Sequence, residues 1–234
     1  MKAHALDVPR TARYYTLGTA PVREVWLACH GYGQLAARFA AHFEPLAADG
    51  RLVVAPEGLS RFYTDDRHER VGASWMTREA REDEIADQIR YLDAALTEAC
   101  EHAGVDPVAV PLVAFGFSQG AATAVRWLAL SPLARAREAA RGRRADRLVL
   151  WGSSLPHDLD LAAEAPWLTP LDLTLVAGDR DPLAPPGRVL AEEKRLRAAG
   201  LPFRTVTFAG EHRLHEATLR ALAARPLTAP PTDG

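Results

Sequence analysis

The sequence predicts an α/β protein: a mostly parallel central sheet with helices packed on both faces. Three observations carry that prediction. Short apolar runs without polar alternation recur along the chain, the pattern of strands buried on both sides. Between them lie stretches with apolar residues at helical spacing. The chain has 234 residues, 48% of them hydrophobic and 25% charged, enough to bury one substantial core without a disulfide or metal.

The elements follow in order. Residues 13–17 read as a first strand. Val25-Trp26-Leu27-Ala28-Cys29 is a buried strand that runs into His30-Gly31. Residues 35–48 carry helical spacing. Leu52-Val53-Val54-Ala55 is a strand stopped by Pro56. In the helix at 82–100, Ile85, Ile89, Leu92 and Leu96 fall on one face. A strand at 110–117 precedes a helix at 121–130, which Pro132 stops. Strands follow at 148–151 and 173–176. A helix at 189–199 closes on Gly200, and a last strand at 203–208 leads to a last helix at 214–223. One domain is expected over residues 1–224. Residues 225–234 contain Pro226, Pro230 and Pro231 and are expected to form a loose tail.

Composition excludes several classes. The formal net charge is -2, which gives no general pull toward nucleic acid or anionic membrane. Six arginines (Arg135, Arg137, Arg141, Arg143, Arg144 and Arg147) crowd one segment. Without interleaved aromatics they read as a solvated helix and loop. The two cysteines, Cys29 and Cys100, read as buried thiols in a reducing compartment, so a cytoplasmic location is expected. The N-terminal residues lack an apolar signal core. The longest apolar stretch, 108–117, is interrupted by Pro111 and Gly116 and is too short to span a bilayer. No His/Cys/Asp/Glu group has metal-ligand spacing, and no glycine-rich phosphate loop is present. Neither metal nor cofactor is expected.

In a parallel sheet, ligands bind at the carboxyl ends of the strands, so the residues after each strand carry the functional reading. Gly116-Phe117-Ser118-Gln119-Gly120 fits G-x-S-x-G at a strand-to-helix junction. Such a turn strains the serine backbone and lifts its hydroxyl above the sheet. The glycines on either side relieve the crowding. A serine nucleophile needs a base. His212 follows the last strand in a loop, where its ring can reach over the sheet, and is preferred to His215, three residues later and read as solvated or capping. The base needs an acid to hold its tautomer. In Gly178-Asp179-Arg180-Asp181-Pro182, Asp179 reads as a brace for the turn and Asp181 as the acid. Two N–H donors are needed for an oxyanion: the amide of Gln119, and that of Tyr32 in the His30-Gly31-Tyr32-Gly33 loop. His30 reads as a residue that pins this loop.

These residues together resemble the α/β-hydrolase superfamily, and within it the phospholipase/carboxylesterase family, which includes acyl-protein thioesterases. The resemblance spans His30 to about Leu219. It rests on Cys29-His30-Gly31-Tyr32-Gly33, Pro56-Glu57-Gly58, Ser74-Trp75, the Ser118 elbow, Gly178-Asp179-Arg180-Asp181-Pro182 and Gly210-Glu211-His212. It implies the α/β-hydrolase fold without a large lid domain, and it supports Ser118, Asp181 and His212 as catalytic and Tyr32 as an oxyanion donor. The family frequently forms homodimers; the sequence names no interface. Two features depart from the family pattern: Ala177 stands where a histidine is common, and residues 60–77 follow their own text.

That segment holds Phe62, Tyr63, Trp75 and Met76 around a charged stretch from Asp65 to Arg70. It reads either as a short flap over the site or as a minicore under a surface loop. These four residues are the expected substrate contacts, Trp75 foremost. His157 and Asp158 follow another strand end and read as packed or exposed. The resulting expectation is a serine hydrolase for small carboxylic esters of short to medium acyl chains, without nucleic acid or stable membrane insertion. A thioesterase or lysophospholipase would keep the same triad. A binding module on the same scaffold is the reading from a different class.

Overall fold

The computed structural model describes residues 1–2 and 4–227. Most of the expected tail, from 228 on, lies outside the described residues.

Among the described residues seven strands form one sheet: β1 (Tyr14–Leu17), β2 (Glu24–Cys29), β3 (Arg51–Pro56), β6 (Leu112–Phe117), β7 (Arg147–Trp151), β8 (Asp172–Gly178) and β9 (Arg204–Phe208). Their order is β1-β3-β2-β6-β7-β8-β9. All neighbours are parallel except β1, which runs antiparallel to β3. From β2 the chain builds outward to β3 on one side and, after a crossover, to β6 on the other. The switch point therefore lies between β2 and β6, where a crevice opens at the carboxyl ends.

Alternation along each strand divides the core in two. Val25, Leu27 and Cys29 enter one apolar cluster, with residues of α2 (Arg81–His102), α3 (Gln119–Leu130), α5 (Leu161–Leu168) and α6 (Pro186–Ala198). Trp26 and Ala28 enter the other, with Phe39 of α1 (Ala36–Ala40), Phe43 and Leu46 of a 3₁₀ segment (Ala41–Asp49), and Leu219 and Leu222 of α7 (Glu216–Ala224). Helices thus cover both faces, and β2, β3, β6, β7 and β8 are buried throughout their centres, while the edge strands β1 and β9 are only partly covered. In α2, Ile85, Ile89, Leu92 and Leu96 are buried as their spacing requires, and Glu82, Asp83 and Glu84 occupy its first turn, where the helix dipole favours negative charge.

Three local readings are corrected. The helix at 35–48 forms only one short α-turn before continuing as 3₁₀ backbone around Pro45, because proline cannot donate the helical hydrogen bond. Residues 60–74 form an antiparallel hairpin, β4 (Ser60–Tyr63) with β5 (Val71–Ser74). The arginine-rich segment is not simply solvated. Within α4 (Pro132–Arg141), Arg137 is 0% exposed, as is Arg147 in β7. Arg137 donates to the carbonyls of Arg144 at 2.9 Å and Val110 at 2.9 Å, and burial pulls its guanidinium down to about 10 against the opposing charge of Asp146. Arg147 pairs with Asp172 at 2.7 Å and donates to Leu222 O and Pro226 O. That last bond ties the start of the expected tail to the sheet.

Cys29 and Cys100 are free and buried, and burial pushes both thiols up. Among the described residues no helix is long and apolar enough to cross a membrane.

Candidate active site

The strand β6 ends at Phe117, and α3 begins at Gln119. The whole reversal falls on Ser118, at φ 54° and ψ -118°. That backbone is strained for any residue with a side chain. Neighbours hold it there: Ser118 N–H donates to Trp151 O at 2.8 Å. A Cβ on Gly116 would lie 2.3 Å from Ala121 Cα, and one on Gly120 would lie 2.1 Å from Cys29 O. Both contacts are impossible, so only glycine permits the turn at either position. Among the described residues the Ser118 hydroxyl makes no hydrogen bond.

Two further loops meet beside it. The one after β8 and the one after β9 are joined by Asp179 N–H to Phe208 O at 2.9 Å and Arg180 N–H to Gly210 O at 2.9 Å. The Asp179 side chain accepts from Gly210 N–H at 2.8 Å, which is the bracing role read from its position. Asp181 is buried. Its Oδ1 accepts the N–H groups of Leu183 and Ala184 at 2.8 and 2.9 Å. Its Oδ2 lies 2.7 Å from His212 Nδ1. With an ionised carboxylate as partner, Nδ1 carries the proton and Nε2 is left as an acceptor. The His212 ring packs against Phe117, the residue before Ser118, at a centroid distance of 4.8 Å. The imidazole thus lies against the residue that precedes Ser118, and no hydrogen bond joins it to the serine. Such bonds are often loose without substrate.

His215 stands apart. It occupies the N-cap position of α7, stacks on Phe208 at 5.1 Å and bonds Thr218 at 2.9 Å.

One residue of this cluster escaped the sequence reading. Gly152, just past β7, sits at φ 64°, and a Cβ there would lie 2.8 Å from His212 Cε1 and 3.3 Å from Asp181 Oδ2. It is the floor on which the His–Asp pair rests. Its place after an apolar strand was the available signal.

The loop after β2 supplies the other wall. His30 is buried; its Nδ1–H donates to Gly31 O at 2.8 Å, and its Nε2 accepts from Gly58 N–H at 2.9 Å. Burial lowers its proton affinity below the ordinary histidine value, so it pins the loop as a neutral ring. Gly31 N–H, Gly33 N–H and Gln34 N–H all have acceptors. Among the described residues the N–H groups of Tyr32 and Gln119 have none. They border the crevice from the two strands at the switch point. The Gln119 side chain has a separate role: it accepts from Trp75 N–H at 3.2 Å and donates to Met76 O at 2.9 Å, fastening the elbow to the segment after β5.

The expected substrate contacts divide. Trp75 is corrected: it is 1% exposed, donates its indole N–H to His30 O at 2.8 Å and packs against the His30 ring at 4.8 Å. A side chain this buried braces the loop from beneath and is committed to His30. Met76 is half-buried against the core. Phe62 packs on Tyr32 at 4.9 Å, and Tyr32 is 61% exposed, so these two form an aromatic ledge beside the loop. Tyr63 is 57% exposed and packs on His68 at 4.7 Å. The hairpin that carries them is bonded to the loop by Gly33 N–H to Ala73 O at 2.9 Å and Ala73 N–H to Gln34 O at 3.2 Å. Asp158 pairs with Arg126 at 3.0 Å and with Arg81 at 2.6 Å, and His157 is exposed. Among the described residues no group of three His, Cys, Asp or Glu side chains is placed to hold a metal.

Comparison with solved structures agrees with this architecture. The fold is that of the α/β-hydrolases. A carboxylesterase from Mesorhizobium loti superposes with a TM-score of 0.66 at 20% identity, over 92% of this chain and 95% of its own. The Bacillus cereus carboxylesterase gives 0.63 at 17% identity, over 91% and 92%. Acyl-protein thioesterase 2 from Zea mays gives 0.57 at 17% identity, over 91% and 96%. No family sequence model matches the chain, and no curated protein matches it in sequence.

Proposed function

We propose that this protein is a serine esterase, cleaving small carboxylic esters through an acyl-enzyme on Ser118. The observation that carries the reading is the 2.7 Å contact of His212 Nδ1 with buried Asp181, beside the strained Ser118 elbow. Ser118 Oγ attacks the ester carbonyl carbon while His212 Nε2 takes the hydroxyl proton. The carbonyl oxygen becomes an oxyanion and accepts hydrogen bonds from the unpaired N–H groups of Tyr32 and Gln119. Collapse breaks the bond to the alcohol oxygen, which leaves with the proton from His212. Water then gives its proton to His212 and attacks the acyl carbon. Ser118 regains its hydroxyl as the acid departs. Asp181 holds Nδ1–H throughout and stabilises the imidazolium.

Short to medium acyl chains are the substrates proposed, with the Tyr32–Phe62 ledge beside the loop after β2 as the surface for the acyl half. A thioester substrate uses the same steps, and the likeness to a protein named as an acyl-protein thioesterase favours testing it beside esters. A reducing compartment such as the cytoplasm suits the two free buried thiols. The test is steady-state hydrolysis of nitrophenyl acetate, butyrate and octanoate and of matching acyl-thioesters. Ser118→Ala is expected to lower kcat by about 10³-fold or more with an unchanged circular dichroism spectrum. Full activity in that variant would end the proposal.

A further inference from the structure

A cavity of about 550 Å³ lies between the loop after β7, the loop after β8 and α6. It shares three residues with the surroundings of the catalytic pair: Gly152, which floors His212, and Leu183 and Ala184, whose N–H groups hold Asp181. Apolar residues such as Val176 and Val189 form part of its wall, and Ser153 and Ser154 add hydroxyl groups.

Its charged groups are unevenly committed. Glu192 is buried and accepts from Arg195 at 3.2 Å and from Leu155 N–H at 3.1 Å. Arg195 also donates to the carbonyls of Leu155, Pro156 and Leu159, so this pair satisfies itself. Arg188 differs. Among the described residues it has no carboxylate partner, and its hydrogen bond is one from Nη1 to Leu183 O at 3.2 Å. His157, the remaining titratable group on the wall, adds no negative charge. The cavity therefore carries a net positive balance, with most of one guanidinium fork open.

In the reaction proposed above, His212 must protonate the leaving oxygen, so the alcohol half of the ester lies against the imidazole. The cavity touches Gly152, which lies directly against that imidazole. We infer that it receives the leaving alcohol and selects alcohols bearing a carboxylate, which Arg188 binds through its free N–H groups. The inference rests on the esterase reading and names its substrate class. A guanidinium is suited to this because its planar fork matches a carboxylate. The apolar wall accepts the carbon chain between carboxylate and ester.

The test uses the full chain and three probes: the O-acetyl ester of a hydroxy acid, its neutral amide analogue, and a monoethyl diacid ester with the carboxylate in the acyl half. The ratio of kcat/KM for the first over the second is the readout. Wild type is expected to favour the anionic alcohol, and Arg188→Gln to lower that ratio by about tenfold or more. Arg188→Glu should lower it further and favour the acetyl ester of an amino alcohol. The monoethyl diacid ester should show no Arg188-dependent gain. An unchanged ratio in Arg188→Gln, or a preference that follows the carboxylate in the acyl half, overturns the inference and leaves the esterase reading standing. If wild type hydrolyses none of the probes and none of the nitrophenyl esters, both fall together.

Discussion

The strands β7 and β8 carry a buried carboxylate cluster at each end, and the two are built in opposite ways. At the amino ends, Asp172 accepts from Arg147 at 2.7 Å, Arg204 at 3.0 Å and Arg225 at 2.8 Å. Burial alone would raise its carboxyl group, but the bond from Arg147 and the three cationic charges hold it below the usual carboxylate range. At the carboxyl ends, Asp181 meets a single imidazole and two backbone N–H groups. There the far nitrogen of the histidine, the Ser118 hydroxyl and two amide N–H groups are all left without partners among the described residues. At the amino ends the carboxylate is saturated by three guanidinium groups, whereas at the carboxyl ends groups suited to the proposed chemistry are held in reserve within a rigid frame.

Substitution should separate the two ends. Asp181→Asn keeps the acceptor for Leu183 and Ala184 but loses the anion that fixes the His212 tautomer. It is expected to lower kcat by about 10³- to 10⁴-fold while urea unfolding moves little. Comparable losses of activity and stability would erase the distinction. Asp172→Ala leaves Arg147 buried and unpaired. It should cost about 3–5 kcal/mol of stability, read by denaturant unfolding, with kcat of the folded fraction within about twofold of wild type.

Smaller effects sharpen the contrast at the carboxyl ends. Gly152→Ala places a Cβ against His212 and on a backbone at φ 64°, so the ring must shift. About a 10²-fold fall in kcat is expected with KM less affected. A wild-type rate in this variant would show that Gly152 does not set the ring position. Trp75→Phe removes the indole bond to His30 O and should cost about 1 kcal/mol of stability, with the acyl-length profile unchanged. A shifted profile would restore Trp75 as a substrate contact.

How far the sequence could be read follows the same physics. The elbow was legible because a tight strand-to-helix reversal imposes glycine at Gly116 and Gly120 whatever surrounds it. The meeting of Asp181 with His212 was legible because each stands in the loop that follows an apolar strand of a parallel sheet, so the two loops share one edge. Gly152 was missed because its reason is a contact with His212, sixty positions away, and its place after an apolar strand is the one local mark it carries. Arg137 and Arg147 were misread because a run of arginines looks solvated in composition; their carbonyl and carboxylate partners come from segments brought together only by folding. The hairpin at 60–74 was hidden because Val71-Gly72-Ala73-Ser74 has no apolar alternation. Gly72 is glycine there because a Cβ would meet Gly33 O at 2.4 Å. Trp75 looked like a ligand contact by residue type, while its burial is set by the His30 loop.

The central claim is that the hydroxyl on the strained elbow is a nucleophile activated by the imidazole next to it. Fluorophosphonate labelling, with the modified peptide located by mass spectrometry, addresses this directly. Wild type should take up one label, on Ser118, and His212→Ala should label at least about 10²-fold more slowly. A folded wild-type protein that takes no label on Ser118, or a His212→Ala variant that labels at the wild-type rate, would contradict it.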